Sequence, residues 1–360
     1  MKKLLWLVVV LTVSLACRTI SSQVAVPTPI AQPTAAASGT IAQPTATTVE
    51  ATQTVLSENT PQVAAVVEAA PAGLIAREHL VALSAEIGPR VAGTAGERAA
   101  QDYIFTAFES IGYSPEVQEF SVVEDAEGET IAIRSANVIA VKSGKSSQEI
   151  IVGAHYDSTG DAGRGADDNA SAVAVMLEVA ENIVGLETPY TIRFIAFGSE
   201  EINLNGSYAY AGQMSREEID NTIAMINLDS LAAGDNTYLY SDEGRKAELR
   251  DWALAWADEH GFELQTIANV DLTDDGYGIS DHFPFQEIGI PYAYFEATNW
   301  ALGDQDGYTQ VDSQYGENGY IWHTQYDNID YLDQTFPGRV DEHLNLFVSV
   351  LQAVLTEYIR

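Results

Sequence analysis

Several stretches of the chain set imidazoles and carboxylates where they could hold divalent cations. His155 and Asp157 follow the apolar run 150–154, and Asp167, Asp168 and Asn169 open a helical pattern at 169–184. Glu200 and Glu201 follow the run 191–197, Asp229 follows 224–228, and His323 comes after Ile321 and Trp322. Taken singly, each is ordinary. A lone histidine at a strand end is usually structural, Asp-Asp-Asn before a helix is usually an N-cap in a favourable dipole, and Glu-Glu in an acidic chain is usually solvated surface. Gathered on one edge they would repel one another, a cost that bound cations remove. Nitrogen and oxygen donors with open positions suit zinc. Two ions about 3.5–4 Å apart need a carboxylate between them and a nearby base that is not a ligand. Glu200 and Glu201 leave their strand in different directions, so one can bind metal while the other faces the attacking water.

The apolar runs 137–142, 150–154, 191–197, 224–228 and 291–295 read as strands buried on both faces. They are interspersed with helical patterns at 76–87, 96–111, 169–184, 243–260 and 338–358. That alternation predicts an α/β fold, a three-layer α/β/α sandwich around a mostly parallel mixed sheet. In such sheets ligands bind beyond the carboxyl ends of the strands, where the candidate residues fall.

The chain has 360 residues, one cysteine and a formal charge of −35. Such a polyanion does not grip nucleic acid, and one cysteine makes no internal disulfide framework. Residues 1–72 are charge-neutral, so the remaining 288 carry 14 basic and 49 acidic groups. Residues 1–17 read as an export signal: Lys2 and Lys3 precede an apolar run too short to span a bilayer. The segment resembles a bacterial lipoprotein signal, with Cys17 the lipid attachment point. The expectation is an extracytoplasmic protein, anchored to the cell membrane through that lipid or otherwise secreted. Residues 18–72, rich in Ala, Thr and Pro, read as a disordered linker, and 73–360 as the catalytic domain.

The stretches GPRVAGTAGE, GAHYDS, GADDNASA, FGSEEINLNGS, NLDS, GYGISDHFPF and WHTQYDN occur in this order between residues 80 and 332. Together they resemble the di-zinc exopeptidase family that includes bacterial leucyl aminopeptidase, aminopeptidase Y and glutamate carboxypeptidase. The resemblance implies two zinc ions per chain. His155 and Asp229 would bind one and Glu201 and His323 the other, with Asp167 bridging. Glu200 would be the general base, Asp157 would orient His155, and Tyr277 would hydrogen-bond the oxyanion. Ser280, Asp281 and His282, being sequence neighbours, cannot form a triad. They are expected to support the site, with Asp281 capping a turn, and His79, His260 and His343 are expected at the surface. Segment 296–322 could form a rim or lid, with Asp304 and Asp306 in a plain acidic loop.

A free N-terminal amine suits a site rich in carboxylates. A C-terminal carboxylate needs Arg or Lys, of which only Arg164 lies near a motif. The expected substrates are therefore peptides with a free N-terminus. The rivals are a carboxypeptidase or dipeptidase of the same family, a glutaminyl cyclase, against which the presence of His155 counts, and a catalytically dead surface-anchored binding protein.

Overall fold

The computed structural model describes residues 71–126, 129–160, 163–267 and 279–360. The export signal, Cys17 and nearly all of the linker lie outside the described residues, as does Tyr277. One mixed sheet holds the strands β1 (Glu116–Ala126), β2 (Glu129–Lys142), β3 (Ser146–His155), β4 (Tyr190–Phe197), β5 (Thr222–Leu228), β6 (Asn236–Ser241) and β7 (Tyr292–Thr298), in the spatial order β1-β2-β4-β3-β5-β7-β6. The four central strands, β4, β3, β5 and β7, are parallel. On one side β2 pairs antiparallel with β4 and β1 antiparallel with β2, and on the other β6 pairs antiparallel with β7.

The apolar runs are two-faced, as a sheet covered on both sides requires. Ile150, Val152, Phe194, Ala224 and Ile226 enter the main core. The residues between them in sequence, such as Ile151, Ile195 and Met225, enter a second cluster on the other face. Against the main core pack α1 (Leu74–Val81), α2 (Ala95–Ile111), α3 (Ala172–Ile183), α6 (Glu248–His260) and α9 (Arg339–Glu357). The second cluster is closed by shorter helices, α4 (Asn205–Ala211), α5 (Arg216–Asn221) and α7 (Phe283–Glu287). α8 (Ile329–Thr335) leads into α9. Gly153 makes the second face possible, because a Cβ there would lie 2.4 Å from the Phe197 ring.

Two expectations about histidines are corrected. His79 is half-buried, with Nδ1 2.7 Å from the Tyr103 hydroxyl, and burial lowers its pKa to about 4. His343 is likewise half-buried on α9 and lowered to about 4, chiefly by burial. Only His260 is exposed as expected, stacked on Trp256.

Candidate metal centre

The parallel strands deliver their C-terminal residues to one cleft, lined by His155, Asp168, Glu200, Glu201, Asp229 and His323 together with Ile279, Tyr294, Glu296, Tyr308 and Trp322. His155 is the last residue of β3, and its side chain is 2% exposed. Its Nε2 lies 3.2 Å from Asp168 Oδ1, 3.5 Å from Asp229 Oδ1 and 3.8 Å from Glu200 Oε2. On the opposite side His323 Nε2 lies 3.0 Å from Asp168 Oδ2 and 2.9 Å from Glu201 Oε2. Asp168 thus turns one oxygen to each imidazole.

These separations are informative about a metal. Two ligands on a tetrahedral zinc with bonds of 2.0–2.1 Å stand about 3.3 Å apart. The pairs around His155 and His323 already have that spacing. Among the described residues, His155 with Asp168 and Glu201, and His155 with Glu200 and Asp229, form groupings compact enough to hold an ion. The donor set therefore fits zinc, with Asp168 placed to be shared.

Electrostatics agree. Burial alone would lower His155, but Glu200 and Asp229 outweigh it and raise the imidazole well above its usual range. Burial also opposes the charge on His323, yet hydrogen bonds to Asp168 and Glu201 push it up to about 12. Asp168 is held below the usual carboxylate range, because the two imidazoles overcome its burial. Burial raises Glu201 to about 7 and Glu200 well above its ordinary value, with neighbouring carboxylates adding to both. Burial, with Asp281, Glu201 and Asp229 nearby, outweighs the attraction of His155 and leaves Glu200 with a raised affinity for a proton, as a group that takes a proton and passes it on requires.

The expectation that Asp167 bridges is corrected: the bridging position belongs to Asp168. Asp167 Oδ1 accepts from the amides of Ala232 (2.7 Å) and Ala233 (2.8 Å), and its Oδ2 from Gln310 Nε2 (2.5 Å). The cause lies in the backbone. Gly165 adopts φ 58°, where a Cβ would strike the Asp168 carbonyl and the Arg90 guanidinium. A wide turn over Ala166–Ser171 follows, within which Asp168 and Asn169 leave helical geometry. Asp327 fixes that turn by accepting from the amides of Asp167 (2.6 Å) and Asp168 (3.2 Å).

The remaining residues fall where the chemistry needs them. Asp157 Oδ1 is 3.5 Å from His155 Nδ1. The same carboxylate accepts from the backbone amides of Glu200 (3.0 Å) and Glu201 (3.2 Å), so it aims the Glu-Glu pair as well. Asp229 Oδ2 accepts from the Ser280 hydroxyl at 2.6 Å, which makes Ser280 the supporting member of its tripeptide. Asp281 does not cap a turn: it is fully buried with the Ser207 side chain nearby, and burial raises it to about 7. His282 is stacked between Tyr292 and Tyr294. Segment 296–322 contributes Tyr308 to the cleft wall, as a rim would.

Sequence reasoning missed Arg90, Gln310, Glu296 and Asp327. Arg90 lies in the GPRVAG stretch and is fully buried, giving its guanidinium to the carbonyls of Tyr156, Leu83, Gly88, Arg164 and Gly165. Gln310 links Asp167 to the amides of Ile321 and Trp322, which precede His323. Arg90 and Asp327 lie inside the stretches GPRVAGTAGE and WHTQYDN. The contacts that tie Arg90 to Tyr156 and Gly165, Asp327 to Asp167, Gln310 to Asp167 and Glu296 to Tyr240 nevertheless join residues 56 or more positions apart, which no local pattern shows.

Comparisons with known proteins agree with this geometry. Residues 137–348 match the model of peptidase family M28. The chain is 33% identical over 294 residues to the alkaline phosphatase isozyme conversion protein of Escherichia coli (strain K12), covering 74% of this chain and 85% of that protein. It is 31% identical over 207 residues to aminopeptidase YwaD of Bacillus subtilis (strain 168), covering 56% of this chain and 41% of that one. Among solved structures, BSAP, a zinc aminopeptidase from Bacillus subtilis, has the same fold (TM-score 0.63, 20% identity, 81% of this chain and 97% of that one). So does a glutaminyl cyclase of Porphyromonas gingivalis (TM-score 0.56, 21% identity, 79% and 98%). With more than half its length matched and the histidine–carboxylate cleft in place, the chain belongs to peptidase family M28.

Proposed function

We propose that this protein is an aminopeptidase that uses two zinc ions and removes N-terminal residues from peptides outside the cytoplasm. The observation that carries the two-metal reading is Asp168, whose oxygens face two separate imidazole–carboxylate sets. His155 and Asp229 would hold one ion, His323 and Glu201 the other, and Asp168 both. When bound, zinc lowers the pKa of a water toward neutrality and polarises the scissile carbonyl. Glu200 then takes the proton of the attacking water and delivers it to the leaving amine. Asp157 keeps Glu200 and Glu201 at a fixed separation through their amides.

The choice of chain terminus follows from charge. No Lys or Arg among the described residues lines the cleft. Arg90 is committed to buried carbonyls, and exposed Arg164 bonds the Ala85 carbonyl. A substrate carboxylate meets no Lys or Arg there, whereas an ammonium meets several carboxylates. Both imidazole sets are complete, which favours peptide hydrolysis over the cyclase chemistry of a fold relative.

Glu200→Gln in the zinc-loaded protein should keep its zinc and lose turnover by about a hundredfold or more. Activity within tenfold of the parent would remove Glu200 as the base. The parent should cleave aminoacyl substrates and spare N-blocked peptides; cleavage of both equally would refute the aminopeptidase reading. The signal-like segment ending at Cys17 supports the location. Cys17→Ser should release the protein from the membrane fraction, and a soluble parent protein would exclude the anchor.

A further inference from the structure

Glu296 is a carboxylate in the cleft wall that neither donor set uses, and it is 6% exposed. It sits two residues beyond Tyr294 on β7, on the strand face that carries Tyr292 and Tyr294 and meets Tyr238 and Tyr240 of β6. Its Oε2 accepts from the Tyr240 hydroxyl at 3.0 Å and its Oε1 from the Tyr294 hydroxyl at 3.3 Å. The Trp300 indole donates in turn to Tyr240 at 2.6 Å. Each carboxylate oxygen keeps a further lone pair.

No cationic side chain among the described residues lining the cleft stands beside Glu296, and burial raises its pKa to about 8. Two zinc ions would balance Asp168, Glu200, Glu201 and Asp229, and no Lys or Arg among the described residues lines the cleft. A buried carboxylate is costly to ionise unless a cation joins it, so its place in a substrate cleft asks for a cation brought by the substrate. The α-ammonium, two bonds from the scissile carbonyl, stays with the metal-facing carboxylates. The Glu296 oxygens instead meet the hydroxyls of Tyr240 and Tyr294, and Tyr294, Tyr308 and Trp322 line the same cleft. Aromatic rings beside a carboxylate suit guanidinium and ammonium groups.

We propose that Glu296 is a specificity-determining residue that receives the cationic side chain of an N-terminal arginine or lysine, with Tyr294, Tyr308 and Trp322 as the walls around it. This rests on the aminopeptidase reading above. The net charge of −35 works in the same direction by concentrating cationic peptides around the molecule.

The test compares arginyl, citrullyl, lysyl, norleucyl and leucyl p-nitroanilides on the zinc-loaded full chain and its Glu296→Gln variant. Citrulline keeps the shape of arginine without its charge. We expect kcat/KM for arginyl to exceed citrullyl by about tenfold or more, mainly through KM, and lysyl to exceed norleucyl likewise. In Glu296→Gln both ratios should fall close to one. A parental ratio near one overturns the inference, and that comparison decides the matter even if the variant does not fold. Ratios unchanged in the variant, or an equal loss on every substrate, also overturn it, the latter marking a role in packing or in holding the α-amine. Hydrolysis of none of the five overturns the aminopeptidase reading and this inference with it, whereas hydrolysis without cationic preference overturns this inference alone.

Discussion

Asp167 and Asp168 are chemically identical neighbours with different duties, and the difference is set by what their oxygens meet. Asp168 faces two imidazoles, whereas Asp167 faces two amides and the Gln310 side chain. Asp168→Asn leaves only one oxygen for two cation positions, so zinc content should fall by half or more and turnover should be lost. Asp167→Asn still offers an oxygen to Ala232 and Ala233 but sets an NH2 against that of Gln310. It should retain zinc and lose about 1–3 kcal/mol of stability, the usual cost of a spoiled buried hydrogen bond. Elemental analysis and thermal melts of the two variants check this, and the reverse pattern would return the bridge to Asp167. Nothing in the order Asp-Asp-Asn distinguishes the two carboxylates. The choice is made by Gly165 and by an aspartate 160 residues further on.

At the level of elements, the site is held by loops tied to one another across the strand ends. Asp327 precedes α8 and clamps the turn before α3, and Asn169 in that turn accepts from the Ser230 amide after β5. Asp327→Ala frees both amides of the Asp-Asp pair. Zinc affinity should weaken about 10–100-fold, the range for losing a partner that orients ligands, with the far-UV spectrum unchanged. Competition with a chromophoric chelator measures this, and an unaltered affinity would show that the turn holds its shape alone. The strands that aim the site were legible because burial on both faces leaves continuous apolar runs. β1 was not, since it is a largely exposed strand at the sheet edge whose residues alternate with charges. β6 was not either, since its apolar content is Tyr238, Leu239 and Tyr240 within six residues. The metal-facing residues were readable as strand-end types, and so were Asp157 and Ser280 as their supports; Gln310 and Asp327 were not, because each reaches Asp167 across more than 140 residues.

For the whole molecule, the buried carboxylates make metal and pH act together on stability. Burial raises Glu97, Asp167, Glu201 and Asp281 to about 7 and Glu296 to about 8. Unfolded, each would titrate near 4. Between pH 5 and 8 these carboxyl groups therefore hold protons that the unfolded chain has released, and their contribution to stability falls as pH rises through that window. His323 works with the same sign: raised to about 12, it stays protonated when folded while its unfolded counterpart loses a proton near pH 6.5. Asp168, which is lowered, has the opposite sign below about pH 4. So do the half-buried His79 and His343, lowered to about 4, and the buried His282, lowered to about 3; their opposition ends near pH 6.5, where the unfolded imidazoles have lost their protons. Metal-free protein in chelator should thus lose roughly 5–15 °C in Tm between about pH 6.5 and 8, where the histidines no longer oppose the carboxyl groups, as expected for a loss of a few kcal/mol. Zinc supplies positive charge to the same carboxylates and replaces the protons, so the loaded protein should show a flatter profile. The gap between the two melting curves should widen steadily with pH. A chelated protein whose Tm rises over this window would mean that these carboxylates are already ionised in the fold, and the cleft would then need a counter-charge other than zinc.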